Sequence, residues 1–325
     1  MSAPRHTPVL CEQVLSLLDP QPGMICLDCT VGLGGHGAVI APRLAPNGRY
    51  VALDADPANV AVAGRTLQNA PVQVDTLHAN FAESRQVLDQ LNIEGADLVF
   101  ADLGFASSQM EDPQRGLSFS REGPLDMRFD PTQPGTAMDL VQRLSQQSLA
   151  DLIYEFGEER RSRKIARNIV ECRRKAPIHT TTQLAQIVRE AYGRAPRRPA
   201  RRPEATTGRR GPSRIDPATR TFQALRIAVN GELDSLQRLL NGLPRLIRPG
   251  GTAAIISFHS LEDRRVKRAF TELRRDGRGV WLTRKPLIAD ATETTLNPRS
   301  RSAKLRAIRF VESRPAGAVD GEVDG

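Results

Sequence analysis

Apolar and polar positions along this chain follow two different periods. Short apolar runs at Met24–Cys29, Arg49–Asp54, Val72–His78 and Ala96–Leu103 predict strands. Between them His36–Leu44, Pro57–Asn69 and Phe81–Leu91 place apolar residues three and four apart, which predicts helices. Such alternation implies right-handed crossovers and an α/β fold, with a mostly parallel sheet covered on both faces. From about Ser107 to Arg214 no buried strand is predicted. Helical spacing takes over at Ala137–Leu144, Ser148–Glu155, Glu158–Arg174 and Thr182–Tyr192, with Thr180-Thr181-Thr182-Gln183 as a helix start. After Asp216, the series Phe222, Leu225, Val229, Leu233, Leu236 and Leu240 predicts one long amphipathic helix. Pro249-Gly250-Gly251 then reads as a turn, Thr252–Phe258 as a strand, and Ser260-Leu261-Glu262-Asp263 as the start of a helix. Two alternating segments, Val280–Arg284 and Lys304–Val311, predict an antiparallel hairpin at the sheet edge.

Because the sheet's missing strands return only after the helical stretch, the chain reads as one α/β domain interrupted by an insertion. The expected boundaries are 1–106 and 215–312 for the discontinuous domain and 107–214 for the helical insertion, which would bind substrate. A polar tail at 313–325 is expected to be flexible. The 325 residues are 39% apolar and 26% charged, which suits a globular chain with a real core. No apolar run is long enough to span a bilayer, and Met1–Arg5 lack the hydrophobic segment of an export signal, so no membrane partner and a cytoplasmic location are expected.

Charge adds a location. Lys and Arg number 46 against 37 Asp and Glu, a net +9. The Pro-rich stretch 194–214 holds eight arginines against one glutamate, a net +7, and reads as an extended basic loop. Arg160-Arg161-Ser162-Arg163-Lys164 and Arg173-Arg174-Lys175 add to it. The excess therefore belongs to the insertion, where it fits a polyanion such as RNA or a merely solvated face.

The densest local signal is Asp28-Cys29-Thr30-Val31-Gly32-Leu33-Gly34-Gly35-His36-Gly37. A strand ends in an acid, a glycine-rich turn follows, and a helix begins. Gly32, Gly34 and Gly37 satisfy G-x-G-x-x-G, and Asp54 ends the next strand, 22 residues beyond Gly32. A carboxylate there can accept both ribose hydroxyls, so a nucleoside-containing cofactor is expected. Asp28 and Asp102 add acids at neighbouring strand ends, favouring the cationic S-adenosylmethionine over an anionic dinucleotide. An NAD-dependent dehydrogenase shares the glycine fingerprint, and a non-catalytic RNA-binding module would share the basic insertion. Cys26-Leu-Asp-Cys29 spells C-x-x-C, but residues three apart on a strand face opposite sides, so no metal site is expected. His6, His78 and His179 show no partners in sequence.

Longer motifs carry a resemblance. His6-Thr7-Pro8-Val9-Leu10, the Asp28–His36 loop, Leu53-Asp54-Ala55-Asp56-Pro57, Arg115-Gly116-Leu117-Ser118-Phe119 and Pro124-Leu125-Asp126-Met127-Arg128 stand in the order of the bacterial MraW (RsmH) family. So do Tyr154-Glu155-Phe156-Gly157-Glu158-Glu159, the run Pro217–Arg226, Ser257–Arg264 and Asn297–Arg306. The chain thus resembles the small-subunit (16S) ribosomal RNA (cytosine-N4-)-methyltransferases over nearly its whole length. The resemblance implies a class I S-adenosylmethionine-dependent methyltransferase fold, Rossmann-like and with a helical insertion. It implies methylation of a cytidine N4 amine near the decoding centre, in ribosomal RNA or a ribosomal particle. It also implies cofactor contacts at Gly34, Gly35, His36, Asp54, Phe81, Asp102 and Gln109, with Phe81 on the adenine. Where the family shows G-V-S-S-P-Q, this chain has Gly104-Phe105-Ala106-Ser107-Ser108-Gln109, which keeps Gln109 in register.

The D/N/S-P-P-Y/F tetrapeptide of amino-methylating enzymes is absent, and Asp102-Leu103-Gly104-Phe105 occupies its place. By position, Asp102 is the leading proton acceptor and His259 the second. His259 also has a plain reading as a cap of the helix that follows it. The edge hairpin is compatible with a homodimer without requiring one.

Overall fold

In a computed structural model the described residues are 8–193 and 216–311. The basic stretch 194–214 and the tail 313–325 therefore lie outside them, as do His6 and Thr7. No helix among the described residues is long and apolar enough to cross a membrane. The described chain forms two compact units, one from Met1–Gly104 with Leu233–Gly325 and one from Phe105–Glu232.

The first unit is built on seven strands: β1 Ile25–Asp28, β2 Arg49–Asp54, β3 Gln73–His78, β4 Ala96–Asp102, β5 Ile247–Ser257, β6 Gly279–Trp281 and β7 Lys304–Phe310. Their order is β3-β2-β1-β4-β5-β7-β6. The first five pair in parallel, while β7 runs antiparallel between β5 and β6. This is the class I methyltransferase sheet, with the hairpin at the edge where alternation in the sequence places it. Its apolar residues divide between two faces. Leu27, Val51, Val99 and Ile255 pack with helix Glu232–Leu246 on one side; Cys26, Tyr50, Phe100 and Ile256 pack with helix Cys11–Leu18 on the other. Cys29 lies in the first cluster and Cys26 in the second, so the two thiols sit on opposite faces. Burial pushes Cys29 up to about 12.

Sequence order reverses between β1 and β4, which is where open α/β sheets hold ligands, beyond the carboxyl ends of the strands. Register brings three acids to that edge. Asp28 pairs with Ala52 of β2 and Phe100 of β4, so Asp54 and Asp102 each project two residues further. Pro249-Gly250-Gly251 is not a turn ahead of a strand. It lies within β5, where the β4 register jumps between Ala96 and Leu98, as a bulge absorbs the extra residues.

The second unit is helical: Ala137–Arg143, Gln146–Gly157, Ser162–Arg173, Thr181–Ala191 and Ala218–Asn230 pack around Val141, Ile153, Ile169, Leu184 and Leu225. The Thr180 start is a capping box, with the Thr180 hydroxyl accepting from Gln183 N and the Gln183 carbonyl accepting from Thr180 N. The single helix expected from 216 to 240 is two. Gly231 takes a left-handed conformation (φ 57°) and ends the first at Asn230. The unit consequently runs to Glu232, past the expected boundary at 214. Asn230 shows why Ala218–Asn230 belongs there: its Oδ1 accepts from Phe129 N at 2.7 Å and its Nδ2 donates to Met127 O at 2.8 Å. Replacing Asn230 by alanine would strand both backbone groups, so urea unfolding of Asn230→Ala should show a loss of about 1–3 kcal/mol. An unchanged midpoint would show that these bonds do not tie the helix down.

Candidate active site

The first unit gathers its polar groups at the carboxyl ends of β1, β2 and β4. The glycine loop starts there because its own packing demands glycine. A Cβ on Gly34 (φ 86°) would lie 3.1 Å from Thr66, one on Gly35 3.1 Å from Pro8, and one on Gly37 3.0 Å from the Tyr50 hydroxyl. Gly37 therefore serves close helix–sheet packing, the part the third glycine plays in the dinucleotide fingerprint. Gly32 differs, since a Cβ there would meet nothing closer than 4.0 Å; its positive φ of 54° is what favours glycine.

Asp54 fastens this loop to β2. Its Oδ2 accepts from Gly32 N at 2.8 Å, and its Oδ1 accepts from Asp56 N at 2.8 Å and from Asn59 Nδ2 at 3.2 Å. A carboxylate has about four acceptor positions, so three are in use and one remains. Most of the acceptor capacity of Asp54 thus already serves the fold. Asp56 in turn caps Pro57–Leu67, accepting from Ala58 N at 3.0 Å. Phe81, half-buried, follows the end of β3 and packs against the core on the Leu27 face.

Asp28 and Asp102 are the unusual pair. Asp28 is buried, with the Tyr50 hydroxyl and Thr30 N donating to it. Desolvation still outweighs these bonds and raises it to about 6. Asp102 is worse served. Its backbone N–H donates to the Thr30 hydroxyl at 2.6 Å, but its side-chain Oδ1 is enclosed and has no hydrogen-bond partner among the described residues. Burial first, then the Asp28 and Glu262 carboxylates, push Asp102 up to about 8, against a partial opposing pull from Arg299. The side chain as a whole is 24% exposed, so the enclosure of Oδ1 does not extend to every atom.

His36 is enclosed beside it. Nε2 lies 2.9 Å from Val9 O, Nδ1 lies 3.7 Å from Asp102 Oδ2, and the ring stands edge-on to Phe100 at 4.7 Å. It precedes the short helix Gly37–Ile40 but makes no side-chain cap. His259 precedes Ser260–Arg275, and there the cap comes from Glu262, whose Oε2 accepts from Phe258 N at 2.8 Å and His259 N at 3.3 Å. The His259 ring lies against that glutamate, with Nε2 3.1 Å from Oε1, yet out of line for a hydrogen bond; both ring nitrogens are enclosed.

Gln109 falls in the second unit. It is buried, and its Oε1 accepts from Ala106 N at 2.7 Å to cap Ser107–Glu111. The same unit sorts the basic segments read from sequence. Arg173 donates to Val141 O and Leu144 O, closing off the end of Ala137–Arg143, and Arg161 lies over the Tyr192 ring at 4.5 Å. Arg163, Lys164 and Arg167 are exposed on one side of Ser162–Arg173, opposite buried Ile165, Ala166 and Ile169, and Arg174 and Lys175 are exposed in the turn past its end.

Sequence reasoning missed the His36–Asp102 contact, because nothing in local periodicity reports that residues 66 apart face each other across a strand end. It also missed Tyr50 as the donor to Asp28. The parallel register of β1 with β2 was the signal available for that second pair, since it sets Tyr50 beside Cys26 and thus near Asp28.

An orphaned, enclosed carboxylate oxygen next to a second buried acid fits a cationic group and disfavours an anionic one. Asp102 also makes the cofactor-free fold pH-dependent. Its folded-state value stands above the ordinary 3.8, so its stabilising contribution is complete below that pH and is lost as the pH rises through about 8. Thermal melts of Asp102→Asn should lie above wild type at pH 9 and converge with it towards pH 4. Coincident melts at pH 9 would contradict the burial of this charge.

The model of the MraW methylase family matches residues 3–311. "Ribosomal RNA small subunit methyltransferase H" of Sorangium cellulosum is 46% identical over 309 residues, covering 94% of this chain and 91% of that protein. The proteins of that name from Koribacter versatilis and a Synechococcus species are each 46% identical as well, over 93% and 94% of this chain and 93% and 94% of their own lengths. With a match of this extent and the sheet order described above, the chain belongs to the MraW methylase family.

Proposed function

We propose that this protein transfers a methyl group from S-adenosylmethionine to the N4 amine of a cytidine in small-subunit (16S) ribosomal RNA, near the decoding centre. Membership of the family along nearly the full chain carries the reading. The unpartnered Asp102 oxygen at the strand-order reversal supports it chemically. The bound cofactor supplies an electrophilic methyl on a sulfonium.

The chain's own residues do the rest. Asp54, with one acceptor position left, takes a ribose hydroxyl, and Phe81 packs on the adenine. Gly34, Gly35 and His36 form the wall along the methionine end. Gln109 is a further cofactor contact, supported by the family resemblance. Cytosine N4 is a poor nucleophile because its lone pair is delocalised into the ring. Asp102 accepts a hydrogen bond from the N4–H and takes the proton as the new bond forms, which restores the lone pair to the nitrogen. The remaining acceleration comes from positioning. His259, held against Glu262, is the second acceptor.

The helical unit grips the RNA. Arg163, Lys164 and Arg167 on the helix, with Arg174 and Lys175 past its end, neutralise phosphates together with the basic segment 194–214 in the sequence, while the target base is extruded towards the acid. Such a substrate places the enzyme in the cytoplasm. A homodimer is compatible with the edge hairpin and is not needed for this chemistry.

Mass spectrometry of 16S ribosomal RNA from a deletion strain should show one N4-methyl group lost, and restored by the wild-type gene but not by Asp102→Asn. Retention of every N4-methylcytidine in the deletion strain would refute the assignment. On the RNA side, replacing Arg163, Lys164 and Arg167 together by alanine should weaken binding to transcribed 16S RNA and lower the slope of log affinity against log salt by about 2–3. Unchanged slope would place the RNA elsewhere.

A further inference from the structure

The crowding of acids around Asp102 leaves open which groups carry protons before any ligand arrives, and the geometry constrains the answer. A carbonyl only accepts, so the 2.9 Å contact between His36 Nε2 and Val9 O assigns a hydrogen to Nε2. In a neutral His36 the other nitrogen, Nδ1, then presents its lone pair to Asp102 Oδ2 at 3.7 Å. A bare carboxylate facing a lone pair is repulsive. One proton on either side removes the conflict, as a neutral carboxyl beside neutral imidazole or as a carboxylate beside imidazolium. The other faces of Asp102 argue the same way. Asp28 lies behind it on β1 and Glu262 approaches from Ser260–Arg275, the latter with His259 against it; Arg299, from the turn Pro298–Ser302, pulls against both acids. Burial and the two neighbouring carboxylates outweigh the pull of Arg299, and among the described residues Asp102 Oδ1 has no donor to make up for it.

We propose that His36 and Asp102 hold a single proton between them in the cofactor-free protein, and that binding of S-adenosylmethionine expels this proton to solvent. Asp102 is then a free carboxylate only when the methyl donor is in place. This rests on the methyltransferase reading above and deepens it: His36 becomes the positioning residue that keeps one proton on the pair at rest, and the cationic cofactor frees the acceptor of it. The balance is simple. One proton leaves the pair for the buffer on binding, and the proton taken from N4 during transfer returns the pair to its resting count. The raised value of Asp102 agrees with a proton held at neutral pH.

Calorimetric titration with S-adenosylmethionine at pH 7, in phosphate and in Tris, reads the proton count directly from the difference in heats. Wild type should release most of one proton per site, and its affinity should rise about tenfold per pH unit between pH 6 and 8. Asp102→Asn should bind with no proton release and a flat pH profile. Binding by wild type with equal heats in both buffers would overturn the proposal, and so would an undiminished release from Asp102→Asn. Should that variant fail to fold, the wild-type count and its pH profile decide the matter alone. A failure of wild type to bind S-adenosylmethionine at all would overturn the methyltransferase reading itself, a result distinct from binding without proton exchange.

Discussion

The structure turns on the placement of two acids, Asp28 and Asp102, at the adjoining carboxyl ends of β1 and β4, with too few donors to satisfy both. Parallel pairing of these strands sets Asp28 opposite Phe100 and carries Asp102 two residues beyond. Asp28 receives the Tyr50 hydroxyl and Thr30 N, and Asp102 receives neither. Burying a second acid beside the first is unfavourable, and the sheet tolerates it because apolar layers on both faces hold the strand ends in register. Neighbouring features follow from that arrangement. Tyr50 is drawn under the loop, Gly37 is required by Tyr50, and His36 is turned so that one nitrogen meets Val9 and the other meets Asp102.

This alters how the acidic strand ends recognise a ligand. Counting carboxylates along the sequence suggests a standing negative pocket that attracts a cation by Coulomb's law. Burial changes that picture, because a carboxyl raised to about 8 is mostly uncharged at neutral pH. On the proposal above, the preference for a cation is expressed as an exchange, in which a proton leaves and a sulfonium takes its place. Selectivity and the readiness of the acceptor become one event. A neutral ligand of the same shape would then occupy the site without drawing the proton off Asp102.

Much of the frame was legible in residue order. Alternation of period-two and helical segments gave the strands, the interruption by helices and the edge hairpin, because each depends on local burial. Asp54 and the glycine loop were legible as a pair, since a strand-end acid about twenty residues beyond a glycine turn is fixed by the length of one crossover. What failed was non-local or concealed by continuity. Leu233, Leu236 and Leu240 continue the spacing of Phe222, Leu225 and Val229, so one helix was read where Gly231 makes two and sends the first to a different unit. Pro249-Gly250-Gly251 has turn composition yet sits inside β5, because a parallel partner can absorb extra residues as a bulge. The short helix Cys11–Leu18 was not anticipated. Nor does residue order show that Thr66 and Pro8 leave no room for side chains at Gly34 and Gly35.

If the site is completed electrically by a cation, its discrimination between S-adenosylmethionine and S-adenosylhomocysteine must depend on pH, because the two differ by the sulfonium charge. The ratio of their dissociation constants, measured by equilibrium dialysis from pH 5.5 to 9, is the most direct test. Preference for S-adenosylmethionine should climb with pH and level off above about 8, where Asp102 is already ionised in the free protein. A ratio constant across that range would contradict it.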